Sequence, residues 1–395
     1  MTRRVSFQIK EIHGYRFFFM HKPCKTVHIE AIIHSGFVHE TKQTSGINHL
    51  LEHTIVSAWK KCGESCNTYW DNEGAYVNAS TDNSIMKYFV KGTKEDESKM
   101  VEYISTIITN PSFHSSVMER EKKAVQVELL EAMNKPTTQV YDTFHKHFFS
   151  IEGLQYSEDC ILQLKNLKHL TLSTLKTAYE QFHTSNCLFI VFGDYSNAAS
   201  LFKKFLKPRS GPTLPPISCF SFKHDIIHIP FQKESVTIYL GFPLKEITFF
   251  NEYFELMLHN LLFHDLRTVH KLIYGSTVNV NTSRCGTFVT IELDVAYDNA
   301  IKTFSILIEC LKTYQINLME VKGVQKKMKF QYEKEYEMDY LSTFIHTEGE
   351  PLTKRQLLKK VNGFTPELFR KLCQTFLTIE KALCVYQGKK INLTW

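Results

Sequence analysis

Apolar and polar residues alternate from Thr26 to Gly36 (TVHIEAIIHSG), which is the period of a strand with one buried face. From Gly46 to Lys60 the repeat lengthens to that of a helix, and Ala75 to Val90 returns to strand spacing with a turn near Asp82. Lys99 to Thr109 predicts an amphipathic helix closed by Asn110-Pro111. The next helix, Ser116 to Met133, opens on Ser116-Val117-Met118-Glu119, a capping-box pattern, and must stop before Pro136. The apolar run Cys187 to Phe192 predicts one more strand, ending at a Gly193-Asp194 turn.

The periodicity lapses over 206–218 (LKPRSGPTLPPIS), where four prolines predict a linker between domains 1–205 and 219–395. The second half repeats the coarse order of the first: strand Ser235 to Leu240, helix Asn251 to Val269, strands Ser276 to Thr282 and Thr287 to Val295, helix Asn299 to Thr313. Two similarly ordered α+β units suggest duplication.

Charge narrows the function. Lys plus Arg exceed Asp plus Glu by 47 − 41 = 6, spread along 395 residues, which is too diffuse for a nucleic-acid surface. The densest basic stretch, Lys354 to Lys360 (KRQLLKK), reads as a solvated helix face. The ten cysteines stand mostly in apolar contexts and read as core residues of a reducing compartment, without a disulfide framework. Cys62 and Cys66 have no second pair at zinc-ligand spacing. The start has no signal-like apolar stretch, and no window is long enough to span a bilayer. The expectation is a soluble, cytoplasmic protein.

The chemistry concentrates in Asn48-His49-Leu50-Leu51-Glu52-His53. At 3.6 residues per turn, His49 and His53 stack on one helix face about one 5.4 Å pitch apart, close enough to chelate one ion. Glu52 falls on an adjoining part of that face, able to act on a water there without being a ligand. Zn²⁺ suits such a site, since hydrolytic zinc commonly takes three His or carboxylate ligands and lowers the pKa of water to about 7. The order H-x-x-E-H is the inverzincin signature.

A third ligand is expected from a carboxylate elsewhere, and the helix from Ser116 to Met133 offers Glu119, Glu121, Glu128 and Glu131. Glu121 and Glu128 are two turns apart and share a face. A solvated face accounts for Glu119 and Glu121 more readily than for Glu128, which stands inside AVQVELL.

HLLEH followed 75 residues later by Glu128, itself preceded by Glu121, resembles the pitrilysin/insulinase family of zinc metallopeptidases. HSGFVHE (34–40), EGAYVNAST (73–81), TNPSF (109–113) and LFHDLRTVHKLIYGSTV (262–278) are similar to further family segments in the same order. The resemblance implies a clamshell-type α+β metallopeptidase of two similar units, each a mainly antiparallel sheet with helices packed on one face. It implies one Zn²⁺ per chain on His49, His53 and Glu128, Glu52 as general base, and Glu121 orienting a ligand. It further implies that Arg267 and Tyr274 bind the substrate carbonyl, and that the strand with Asn78 and Ala79 pairs with an extended peptide.

The chain departs from the family pattern where bulky LLFHDL replaces a small glycine-rich stretch before Arg267, and where Lys271 stands near a usual Gly. The family's frequent arginine in the first turn is also absent, with Phe37, Val38 and His39 there instead. Full-length relatives join four units, so two units imply a homodimer, or a heterodimer with a homologous chain, acting on peptides or unfolded polypeptide. The competing readings are a non-catalytic structural subunit of the same fold and a processing-peptidase subunit with a homologous partner.

Overall fold

The computed structural model describes residues 6–211, 219–221, 224–244, 251–283, 286–313, 318–334, 345, 349 and 352–395. The chain divides into two compact units, Met1–Asn134 with Glu152–Pro216, and Lys135–Ile151 with Ile217–Trp395.

In the first unit, strands β1 (Ser6–Ile12), β2 (Tyr15–His21) and β3 (Thr26–Ile33) precede helix α1 (Ile47–Ala58). A short hairpin, β4 (Lys60–Lys61) and β5 (Glu64–Ser65), then leads into α2 (Cys66–Asn72), β6 (Tyr76–Thr81) and β7 (Met86–Thr93). Helices α3 (Glu97–Thr109) and α4 (Ser115–Met133) follow. Helix α5 (Thr138–Phe148) belongs to the second unit, and the chain returns through α6 (Glu152–Gln155), α7 (Cys160–Leu167), α8 (Leu172–Tyr179), β8 (Cys187–Gly193) and α9 (Ala198–Phe205).

The sheet runs β1-β2-β8-β3-β7-β6, which leaves β6 at one edge. One face is the core: Val27, Ile29, Ala31 and Ile33 of β3 alternate inward with Met86, Tyr88 and Val90 of β7, against Leu50, Leu51 and Ile55 of α1.

The second unit comprises β9 (Asp225–Pro230), β10 (Ser235–Leu244), α10 (Asn251–Leu262), β11 (Ile273–Ser283), β12 (Gly286–Ala296), α11 (Ala300–Thr313) and α12 (Leu318–Lys334). It closes with α13 (Lys354–Asn362), α14 (Pro366–Phe376) and β13 (Leu383–Gly388), in the sheet order β11-β12-β10-β13-β9. This is the order β6-β7-β3-β8-β2 of the first unit, strand for strand. The pairing sense also repeats: β2 with β8 and β9 with β13 are parallel, and all other pairs are antiparallel. The duplication suggested by element order is therefore present in the topology, and α10 occupies the place of α1.

Three expectations change. The first domain, expected as 1–205, gives up 135–151 to the second unit. There α5 lies on the sheet face opposite the other helices: Tyr141 donates to Glu292 at 2.8 Å, and Phe144 covers Gly241, where any Cβ would strike its ring. The linker is not free at its start, because Arg209 stacks 3.9 Å over the Tyr179 ring and its carbonyl accepts from the Thr184 amide. Its residues 212–218 lie outside the described ones. The helix expected over Asn251 to Val269 is α-helical only to Leu262, and Phe263–Val269 forms a π-helix. The basic stretch over 354–360 is α13, with Leu357 and Val361 buried.

Candidate metal centre

Helix α1 is buried on most of its circumference, by Leu50, Leu51, Thr54, Ile55 and Ala58, and opens toward solvent through His49, His53 and Val56. Helix α4 packs beside it with the stripe Val117, Met118, Glu121, Val125 and Leu129. The expected capping box does not form: the helix starts one residue earlier, with His114 at the N-cap and no side-chain cap bond.

His49 Nε2 stands 3.3 Å and His53 Nε2 3.6 Å from the same Glu128 oxygen, and the three ligand atoms lie within 4.8 Å of one another. Tetrahedral zinc with bonds of about 2.0–2.1 Å spaces its ligand atoms by roughly 3.3–3.4 Å, so these side chains fit the ion. They also favour positive charge at their centre. Burial lowers the His49 pKa, but the Glu128 hydrogen bond and the charges of Glu52, Glu128 and Glu40 outweigh it and the net shift is upward. The same hydrogen bond draws Glu128 below the usual carboxylate range.

The roles of the two α4 carboxylates in burial are the reverse of the expected ones. Glu121, at 9% side-chain exposure, faces α1, with one oxygen 3.5 Å from His53 Nδ1 and the other accepting from Arg120 Nε at 2.9 Å. Glu128 is half exposed, because the apolar neighbours that suggested burial, Val127 and Leu130, themselves point to solvent. A carboxylate on Nδ1 leaves Nε2 of His53 as the lone-pair nitrogen facing Glu128.

Glu52 is buried and accepts a 2.6 Å hydrogen bond from Thr81 Oγ1. Burial lifts its pKa above the usual carboxylate value, while Thr81 and the two histidines pull it back. Thr81 ends β6, and β6 with α1, α2 and α4 bounds a cleft of about 820 Å³ lined by His49, Glu52, His53, Glu121 and Glu128. Asn78 and Ala79 line the same cleft. Asn78 Oδ1 accepts from the Ala79 amide at 2.9 Å, so this amide of the edge strand is covered by its own neighbour.

Arg267 and Tyr274 lie in the second unit, in the π-helix and at the start of β11. The guanidinium sits 4.5 Å over the Tyr274 ring and 5.3 Å from that of Phe263. Buried Leu266 and a Cys310 thiol donating to Asp265 at 3.0 Å anchor the π-helix. The nine described cysteines are free thiols. Among the described residues no helix is long and apolar enough to cross a membrane.

Sequence reasoning singled out neither Thr81 nor Glu40 as a site residue. Their partners are 29 and 6 or 8 residues away, and only folding brings them together.

A helix bearing HxxEH and a carboxylate from a second helix form a group that could hold a metal ion, within a duplicated α+β unit, and comparison with known proteins points to peptidases. Residues 16–160 match the model of "Insulinase (Peptidase family M16)". Over this stretch, a little more than a third of its length, the chain is similar to that family. The subunit beta of the mitochondrial-processing peptidase of Dictyostelium discoideum is 27% identical over 160 residues, 40% of this chain and 34% of that protein. Subunit 1 of the mouse mitochondrial cytochrome b-c1 complex is 27% identical over 118 residues, 30% of this chain and 25% of that protein. The matched part thus spans about a third or less of these relatives' length. Two solved structures share the fold over nearly the whole chain: a protease from Helicobacter pylori (TM-score 0.83, 14% identity, 97% of this chain, 100% of that one) and the peptidase M16 inactive domain of Pseudomonas fluorescens (TM-score 0.81, 15% identity, 98% and 99%).

Proposed function

We propose that this chain is a zinc-dependent endopeptidase acting on short or unfolded polypeptides. The observation that carries the reading is the convergence of His49, His53 and Glu128 on one point beside buried Glu52, in a cleft bounded by an open strand edge. His49, His53 and Glu128 hold one Zn²⁺. The ion, when bound, supplies Lewis acidity that makes water nucleophilic near neutral pH and polarises a carbonyl. Glu52 takes the proton of the attacking water and delivers it to the leaving amine, a role suited to a carboxylate whose pKa burial has raised. Glu121 orients His53. The β6 edge at Asn78 and Ala79 aligns the peptide by main-chain pairing once Asn78 Oδ1 gives up the Ala79 amide. Arg267 and Tyr274 bind the carbonyl oxygen as charge develops, supplied within a homodimer or by a homologous partner chain.

The test is zinc content together with cleavage of an unstructured-peptide library by wild type and Glu52→Gln. One zinc in each chain, with cleavage by wild type alone, supports the reading. Zinc without cleavage by either protein favours the second reading, a structural subunit working beside a homologous chain. The mouse relative, named as a subunit of a respiratory complex, and the Pseudomonas domain named inactive favour that alternative. The cytoplasmic expectation competes with a mitochondrial one carried by the relatives' names, and cell fractionation separates the two.

A further inference from the structure

Helix α1 begins without an ordinary cap. Its N-cap residue is Gly46, in the left-handed region at φ 91°, and it has no side chain to offer. Two amides at the start of the helix are satisfied instead by a residue upstream: Glu40 Oε2 accepts from Gly46 at 2.7 Å and Oε1 from Asn48 at 2.9 Å. Glu40 is only 4% exposed and no Lys or Arg pairs with it among the described residues. A buried carboxylate without a cation is an expensive way to cap a helix, and Gly46, itself buried and left-handed, leaves no room for an ordinary Ser or Asp cap.

The loop that carries Glu40 shows what this arrangement does and a local cap would not. Gly36 lies so close to the turn between β6 and β7 that an added Cβ would stand 2.2 Å from the Asp82 oxygen. The Phe37 and Val38 amides donate to Asp82 and Asn83 of that turn at 3.1 and 2.8 Å. On the other side Asn48 Nδ2 donates to Gly36 O at 3.0 Å. The loop therefore ties the end of β6, directly after Thr81, to the first turn of α1, directly before His49. These are the two walls of the cleft, and Glu40 is the pin on the helix side.

We infer that Glu40 is a positioning residue for the metal centre: it fixes the start of α1 against the β6–β7 turn and thereby aims His49 and Glu52. The inference rests on the metal reading above, and Glu40 itself is neither in the metal-binding group nor in the cleft lining. Glu40→Leu removes both acceptors in a similar volume, and Glu40→Gln keeps one. Zn²⁺ affinity by chelator competition, the visible spectrum of bound Co²⁺, and helical content with thermal midpoint are to be measured on wild type and both variants.

The expected result is folded Glu40→Leu with zinc affinity lowered about 10–100-fold, the range for residues that orient metal ligands. Its Co²⁺ spectrum is altered, and Glu40→Gln lies between it and wild type. A role in folding alone would lower the midpoint and leave affinity and spectrum unchanged, and that outcome overturns the inference. If Glu40→Leu does not fold, Glu40→Gln decides: wild-type affinity and spectrum in that variant overturn it. Failure of wild type to bind zinc would instead remove the metal reading, and this inference with it.

Discussion

Thr81 Oγ1 donates to Glu52 Oε2 across 2.6 Å, so the carboxylate proposed as general base on α1 is held by a hydroxyl from the edge strand. Burial raises the Glu52 pKa, and the Thr81 bond is the largest influence keeping it down. A general base works only when ionised. Thr81→Val should move the acidic limb of the kcat/KM profile upward by about one pH unit, the worth of one hydrogen bond to a charge, with zinc content unchanged. Thr81→Ser should restore the wild-type profile. Coincident acidic limbs for wild type and Thr81→Val would remove Thr81 from the mechanism.

Glu121 faces the ring nitrogen of His53 that points away from Glu128, and Arg120 holds its other oxygen. Glu121→Gln keeps the volume but offers the ring an uncharged group. Zinc affinity should fall about 10–100-fold, while His53→Ala, which removes a proposed ligand, should cost more. Dialysis against graded chelator ranks the two, and the reverse order would mean that His53 is not a ligand.

Much of this site was legible because its parts are local in sequence. The i, i+4 spacing of His49 and His53 needs only a helix, and the predicted helix, Gly46 to Lys60, differs from Ile47–Ala58 by a residue or two at each end. Strands β6 and β7 followed from alternation broken at Asp82. What was not legible depends on contacts between distant segments. The apolar letters around Glu128 suggested burial, but Val127 and Leu130 are exposed and Glu121 is the buried carboxylate. Helix α5 gives no local sign that it leaves the first unit, since its sequence fits any amphipathic surface helix. The π-helix at Phe263–Val269 was hidden for a related reason: its anchors, Leu266 and Cys310, act across the second core.

His28 on β3 carries a pH dependence away from the metal. Its Nε2 is buried without a partner, and burial, then Lys91, lowers its pKa from 6.5 to about 4. The unfolded chain takes up this proton below about pH 6.5 and the folded chain only near pH 4, so stability falls with pH between those limits. The loss by pH 5 is about 2 kcal/mol from this one group. Relative to wild type, His28→Leu should therefore gain that amount between pH 7 and pH 5 in urea unfolding of the metal-free proteins. A pH-independent difference between the two would show that His28 titrates normally.

Lys271 stands at φ 54°, in the left-handed region, between the π-helix that carries Arg267 and the start of β11. The left-handed conformation costs an L-residue about 1–2 kcal/mol, and glycine escapes that cost while losing about 0.5–1 kcal/mol of chain entropy on folding. Lys271→Gly should accordingly raise stability by up to about 1 kcal/mol, and Lys271→Val, whose branched Cβ fits this region worst, should lower it by more than that. Lys271 lies between the π-helix that carries Arg267 and the strand that carries Tyr274, so the two variants should also differ in function. Valine should disturb the Arg267–Tyr274 stack and raise KM for peptide, while glycine should leave KM near wild type. Denaturant midpoints give the stability order. If valine were tolerated as well as glycine, the left-handed turn at Lys271 would not be what holds Arg267 in place.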